Sequence, residues 1–292
     1  LSLNKSAFLT ISFGTGFCTG AGGVTFISSF TGSCLIFFSV TSLTGVFSVL
    51  SLKITASPHP IIIIIISPHK TESLKGQVIV SSQAMPDEPL YKEECMLAMM
   101  QSVVNGGAGG LRVAGARDVR NAKTLGLPVI GLTKPDKLPE NWKEIVYITP
   151  GLKEVNDLIE AGADIIAFDG TSRPHAGCTL EEIITVIHKA GRLAMADIST
   201  LEEGKKCAAL GADVISTTLA GYTLESGEPS EGPDYELLKN LVKAVNKPVI
   251  LEGRIWEPQD VKKAFEIGAH CVVIGSAITR PQLITKRFVE GI

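Results

Sequence analysis

What this chain lacks narrows the field before anything it contains. No acidic side chain occurs before Glu72, and the only charges up to Thr71 are Lys5, Lys53 and Lys70. Six cysteines, Cys18, Cys34, Cys95, Cys178, Cys207 and Cys271, form neither a CxxC pair nor a Cys/His ligand spacing. A structural zinc and a disulfide framework are therefore not expected, and a reducing compartment, the cytoplasm, is. There is no basic stripe, and a net charge of −3 offers a nucleic-acid backbone nothing to hold. No GxGxxG turn follows the first predicted strand, which counts against a dinucleotide-binding open sheet.

Charge is split along the 292 residues: 1–71 carry +3, leaving −6 for the remainder. The first segment is rich in Ser, Thr, Gly and Phe and ends in an isoleucine run, 61–66, between two Ser-Pro-His triplets. It has no steady helical or strand period. The uncharged stretch 33–52 is long enough to span a membrane, but its Ser, Thr and Gly make it a poor anchor. A transit peptide would be Ser-rich and acid-poor, as here, yet should carry arginines, and this segment has none. The favoured reading is a low-complexity, unstructured leader of non-native or wrongly framed sequence, whose isoleucine run is an aggregation hazard. The initial Leu1, in place of Met, fits a start that is missing or misread. Residues 72–292 are then expected to form the catalytic domain.

From residue 77 the pattern is regular. Strands are predicted over 77–82, 109–113, 128–132, 164–168, 193–196, 213–216, 249–251 and 271–274. Helices are predicted over 90–104, 116–124, 153–160, 181–189, 201–210 and 235–245, with one between the last two strands and a closing one over 282–289. The strands read as nearly continuous apolar runs, as they do when helices cover both faces of a parallel sheet. A longer excursion, 135–149, contains Trp142 and a short apolar piece, 145–148, read as an accessory element. One layout repeats: Ala161-Gly162-Ala163-Asp164, Leu210-Gly211-Ala212-Asp213 and Ile267-Gly268-Ala269-His270 each place a helix end and a C′ glycine before a buried strand. Eight strands alternating with helices predict a (β/α)₈ TIM barrel.

Polar residues collect at the C-terminal ends of these strands: Gln83, Arg112, Lys134, Asp169, Asp197, Thr217, Glu252 and Ser276. In a barrel those ends converge on one face, where active sites are built. Asp197 and Thr217 read mainly as helix caps, since Ser199-Thr200-Leu201-Glu202-Glu203 is a helix start. Lys134, Arg112 and Glu252 are harder to explain as structure, because charge at the end of a buried strand is placed there to be paired or used. Gly253-Arg254 and Gly275-Ser276 close two adjacent strands with turns that could let backbone N–H groups approach a phosphate.

The runs VSSQAMPDEPLY, GGLRVAG, PVIGLTK, ITPGLKEVNDLIEAGADIIAFDGT, LAMADIST, GADVISTTLAGYT, VILEGRI and VVIGSAITRPQLITKRF together resemble the N-acetylmannosamine-6-phosphate 2-epimerase family, barrels of the ribulose-phosphate-binding type. The resemblance covers about 77–289. It implies conversion of N-acetylmannosamine 6-phosphate to N-acetylglucosamine 6-phosphate in sialic acid and amino sugar catabolism. It implies Lys134 and Glu252 as catalytic residues, sugar contacts from Gln83, Arg112, Asp169 and Arg254, and a phosphate held by Gly253, Gly275, Ser276 and Arg280. No cofactor, metal, nucleic acid or membrane contact is implied for the barrel, and a homodimer is open. Two departures are local: Gly170 stands where the family usually has Ala, and the spacing of Arg173-Pro174-His175 differs, so His175 is left out of the site.

Epimerising C2 requires removal of the proton α to the C1 aldehyde and its return on the opposite face. That asks for a base, a reprotonating partner and donors for an enediolate. A lysine serves as base only with a lowered pKa, which burial and Arg112 favour and Glu252 opposes. Two other classes compete: a class I aldolase, using the lysine as a Schiff base, and an inactive sugar-phosphate sensor.

Overall fold

The computed structural model describes residues 34–38, 50–54 and 69–292 except 176. The chain divides into two units, Leu1–Ile63 and Ile64–Ile292. In the first, β1 (Cys34–Phe38) and β2 (Leu50–Ile54) pair antiparallel, with Cys34 opposite Ile54 and Phe38 opposite Leu50. These two strands are the described part of the first unit. Both are short runs dominated by apolar residues, a composition that favours strand pairing over a coil. The isoleucine run 61–66 and the other leader residues up to 68, these strands apart, lie outside the described residues.

In the second unit α1 (His69–Glu72) precedes β3 (Val78–Ser82), and a 3₁₀ turn (Pro89–Tyr91) leads into α2 (Glu93–Asn105). Alternation then continues with β4 (Gly110–Ala114), α3 (Ala116–Lys123), β5 (Val129–Leu132), α4 (Leu152–Ala161), β6 (Ile165–Asp169) and α5 (Leu180–Lys189). Next come β7 (Leu193–Asp197), α6 (Leu201–Leu210), β8 (Val214–Ser216), α7 (Tyr235–Ala244) and β9 (Val249–Glu252). The chain finishes with α8 (Pro258–Ile267), β10 (Cys271–Ile274), α9 (Ser276–Thr279) and α10 (Pro281–Glu290). The strands β3 to β10 close in sequence order into a parallel eight-stranded barrel, β10 pairing with β3. The fold is a (β/α)₈ barrel.

Its core has two layers. Val129, Ile166, Phe168, Ala194, Leu251 and Val272 face outward onto helix residues such as Val155, Leu158 and Leu241. Ile79, Ile130, Ile165, Met195, Val214, Ile250 and Val273 fill the lumen. Because both faces of every strand are buried, the strands read as unbroken apolar runs, which is why their bounds were legible. The repeated glycines do what their positions demand: Gly162, Gly211 and Gly268 end α4, α6 and α8 at φ +92°, +104° and +115°, a region closed to most side chains. The excursion 135–149 contains neither helix nor strand. Its apolar piece is instead pinned by backbone bonds, Asp169 N donating to Ile148 O and Thr149 N to Thr133 O.

Candidate active site

Pleating decides which polar residues meet. Alternate side chains of a strand share a face, so the inward rows that hold Ile79, Ala167, Met195, Val214 and Ile250 continue upward to Ser81, Asp169, Asp197, Ser216 and Glu252. On β4 both Leu111 and Val113 pack outward, which turns Arg112 between them into the lumen. A ring of polar groups therefore closes the C-terminal mouth.

Arg112 lies at the centre of that ring and is fully buried. Its Nη2 donates to Asp197 Oδ2 at 2.6 Å and its Nη1 to Asp197 Oδ1 at 3.3 Å. Its Nε stands 3.3 Å from Glu252 Oε1 without hydrogen-bond alignment, a contact of charge alone. Asp197 is thus the partner of Arg112 and not the helix cap it was read as. The cap of α6 is Thr200, whose Oγ1 accepts from Glu203 N while Glu203 Oε2 accepts from Thr200 N. Thr217 is no cap either: its Oγ1 accepts from Glu252 N and donates to Glu252 O, both at 3.1 Å, fixing that backbone.

Lys134 lies two residues beyond β5 and lines the same cavity as Glu252. Among the described residues it makes no hydrogen bond or ion pair. Surrounding protein and the Arg112 charge lower its pKa from 10.5 to about 8, against the pull of Glu252 and Asp197. Water still reaches the lysine at the mouth and screens part of the cost of its charge. Glu252 moves the other way, raised by burial and by Asp197 and opposed by Arg112, Thr218 and Lys134. An amine and a carboxyl with converging pKa values can share and exchange a proton.

The cavity measures about 540 Å³, within the range of small-molecule sites. Lys134, Glu252, Gln83, Gly253, Arg254, Gly275, Ser276 and Arg280 line it; Arg112 and Asp169 do not. Gln83 Nε2 donates to Ser81 Oγ at 2.8 Å, and its Oε1 is buried without a partner. The turn after β9 holds two consecutive left-handed residues, Gly253 at φ +106° and Arg254 at φ +56°. That conformation is uncommon for arginine, and the side chain secures it, Nε donating to Gly232 O and Nη1 to Ala220 O. Gly275 abuts Ser81, whose Cβ would lie 3.4 Å from any Cβ added there. Arg280 pairs with Glu88, and Thr279 Oγ1 donates to Ser81 O at 2.6 Å, tying α9 to β3.

Asp169 is sealed from solvent and committed elsewhere. Its Oδ1 accepts from Thr171 N and Thr171 Oγ1, and its Oδ2 from Arg173 Nη2 at 2.6 Å. Arg173 Nη1 in turn donates to Trp142 O and Lys143 O. Asp169 thus supports the excursion 135–149 rather than the cavity surface. The neighbouring Gly170 has a packing reason: a Cβ there would meet Ala196, Ile198 and the Cys207 Sγ at 3.0 Å, and that thiol donates to Gly170 O. His175 lies outside the cavity, its Nδ1 3.3 Å from Pro150 O.

Sequence reasoning missed the aromatic wall and Thr218. Trp142, Tyr147, Tyr222 and Trp256 line the cavity, four of the chain's six Trp and Tyr residues. Trp142 meets Tyr147 edge-on with centroids 6.3 Å apart. The available signal was scarcity: few such residues exist, and these sit in stretches following strand ends. Among the described residues no cluster of His, Cys, Asp and Glu is placed to hold a metal, and no helix is long and apolar enough to cross a membrane.

Comparison with known proteins points one way. Residues 96–292 match the family model described as "Putative N-acetylmannosamine-6-phosphate epimerase". A Clostridium perfringens protein named "Putative N-acetylmannosamine-6-phosphate 2-epimerase" is 46% identical over 220 residues, 74% of this chain and 97% of that one. A protein of the same name from Caldanaerobacter subterraneus subsp. tengcongensis is 48% identical over 225 residues, 76% and 93% of the two chains. A solved N-acetylmannosamine-6-phosphate 2-epimerase from Clostridium perfringens superposes with a TM-score of 0.73 at 43% identity, covering 82% of this chain and 100% of that one. This chain belongs to the N-acetylmannosamine-6-phosphate epimerase family.

Proposed function

We propose that this chain interconverts N-acetylmannosamine 6-phosphate and N-acetylglucosamine 6-phosphate by moving the proton on C2 of the open-chain sugar. One observation carries the reading: a lysine with a lowered pKa and a glutamate with a raised one line a single cavity together with the Gly253-Arg254 and Gly275-Ser276 turns. Two rims far apart would have ruled it out.

Lys134, neutral, takes the C2 proton; the C–H electron pair becomes the C1–C2 double bond and the aldehyde oxygen takes the negative charge. Protonated Glu252 then supplies a proton to the opposite face of C2, and the double bond returns to C1 and oxygen. The two residues exchange their added and lost protons before the next turnover. Arg112, one lumen layer down, faces both Asp197 and Glu252 and holds the carboxyl in place. The phosphate lies against the backbone of Gly253, Gly275 and Ser276 with Arg280 and Arg254 beside it, and Gln83 takes a sugar hydroxyl. The reading places the barrel in amino sugar catabolism.

The test is incubation of N-acetylmannosamine 6-phosphate with the protein in heavy water. Deuterium appears at C2 of both epimers if the proposal holds; epimerisation without exchange, or no epimerisation, ends it. A neutral lysine could also form a Schiff base. Borohydride reduction in the presence of substrate should trap nothing on Lys134.

A further inference from the structure

Thr218 stands between the two carboxyls of the mouth. Its Oγ1 is 2.7 Å from Asp197 Oδ1, 3.0 Å from Glu252 Oε2 and 2.9 Å from Ser216 Oγ. A hydroxyl has one hydrogen to give and two lone pairs to offer. Three contacts therefore require one donated and two accepted bonds. Ser216 brings its own hydrogen. Asp197 already takes two N–H bonds from Arg112 and acts only as an acceptor, and its contact with Thr218 is the shorter of the two carboxyl contacts.

The hydrogen of Thr218 then belongs to Asp197. Its contact with Glu252 is a bond only when the Glu252 carboxyl carries a proton and donates it. With Glu252 ionised, the hydroxyl would need a second hydrogen or would have to abandon Asp197. The buried Arg112 Nε fits the same arrangement, since it lies 3.3 Å from Glu252 Oε1 yet is not turned into a hydrogen bond.

We infer that Thr218 is a positioning residue that keeps a proton on Glu252, accepting from the protonated carboxyl while donating its own hydrogen to Asp197. The inference rests on Glu252 being the acid partner of Lys134. The other groups facing Glu252 are Arg112 from β4, Lys134 beyond β5, Asp197 from β7 and the Cys271 thiol from β10. Burial and Asp197 favour its protonated form, whereas Arg112, Lys134 and a hydrogen bond donated by Thr218 would oppose it; that donation is closed while the hydroxyl's single hydrogen lies on Asp197. Thr218 tips that balance and aims the acid at the cavity it lines.

The experiment is an infrared pH titration of the full chain, following the carbonyl stretch of protonated carboxyls in wild type, Glu252→Gln, Thr218→Val and Thr218→Ser, with kcat and KM for N-acetylmannosamine 6-phosphate alongside. The band assigned to Glu252 is the one that Glu252→Gln removes. In Thr218→Val its midpoint should fall by about one pH unit, the scale of one lost hydrogen bond. Turnover should drop about tenfold with KM unchanged, and Thr218→Ser should restore both. Thr218→Ala carries the same comparison if the valine variant does not fold. An upward midpoint would mean that Thr218 donates to ionised Glu252; an unmoved one, that it plays no part. Either overturns the inference, as does a wild type with no such band. A band that behaves as expected in a protein that leaves the sugar phosphate unchanged sinks the proposed activity and leaves Thr218 as described.

Discussion

One strand carries a carboxylate at each end and uses the two in opposite ways. Asp164 immediately precedes β6, and Asp169 is its last residue. At the lower rim Asp164 Oδ2 accepts from Val129 N at 3.0 Å and from Lys123 Nζ at 2.6 Å, leaving the side chain 17% exposed. Asp213, just before β8, repeats the pattern with Ala194 N and His188 Nε2. These acids tie the start of a neighbouring strand to a basic side chain near the surface. At the upper rim Asp169 and Asp197 are wholly enclosed, each against an arginine, and Glu252 is turned to a cavity with an amine that has no ion-pair partner among the described residues. Residue type is the same at both rims; strand direction separates fastening from chemistry.

That contrast can be broken by substitution. Lys134→Ala and Glu252→Ala should each lower kcat by about 10³-fold or more while melting stays near wild type; full turnover in either would dissolve the distinction between rims. Asp197→Asn strips a buried guanidinium of its paired charge, and urea unfolding should show a loss of about 3 kcal/mol. Its lower-rim counterpart, Asp213→Asn, removes one partly exposed acceptor, and the same measurement should show only about 1 kcal/mol with turnover unchanged. Equal losses at the two positions would show that burial is not what sets them apart.

A smaller effect has the opposite sign. Lys134 has a folded pKa of about 8, below its ordinary 10.5. Below about pH 8 both folded and unfolded chains hold that proton, and the folded state bears the full cost of the charged amine. Between the two values the unfolded chain binds more protons, so stability rises with pH across that window. Lys134→Met should therefore be the more stable protein at pH 7, by up to about 1 kcal/mol once water at the mouth is allowed for. It should lose the pH-dependent gain above pH 8. In wild type, turnover should rise with pH toward about 8 as the amine becomes neutral. A profile flat through neutrality would remove Lys134 as the base.

The barrel was legible because its strands are buried on both faces and its helices end on glycines, two local signals. Eight of the ten proposed site residues line the cavity, most of them for a related reason: position at a strand's end is enough to place a residue at the mouth. What stayed hidden was pairing. Asp197 sits beside a strong capping sequence, whereas its true partner, Arg112, is 85 residues away and announced by nothing nearby. The ion pair of Asp169, given a sugar contact by resemblance, was not legible because Arg173, four residues on, lies past the strand where no periodicity fixes its direction. Thr218 had no charge to draw notice. The aromatic wall comes from stretches without regular elements, which hydrophobic periodicity cannot place.

Arg173 fastens the cavity's ceiling at one point. One guanidinium ties the enclosed Asp169 to the carbonyls of Trp142 and Lys143, in a span with no hydrogen-bonded ladder of its own. Ile148 and Thr149 keep their own bonds to the strands, so loss of the cation should loosen the span around Trp142 and leave the staves beneath undisturbed. Such an enzyme could widen its tolerance for bulkier acyl groups by changing one residue that never meets the sugar.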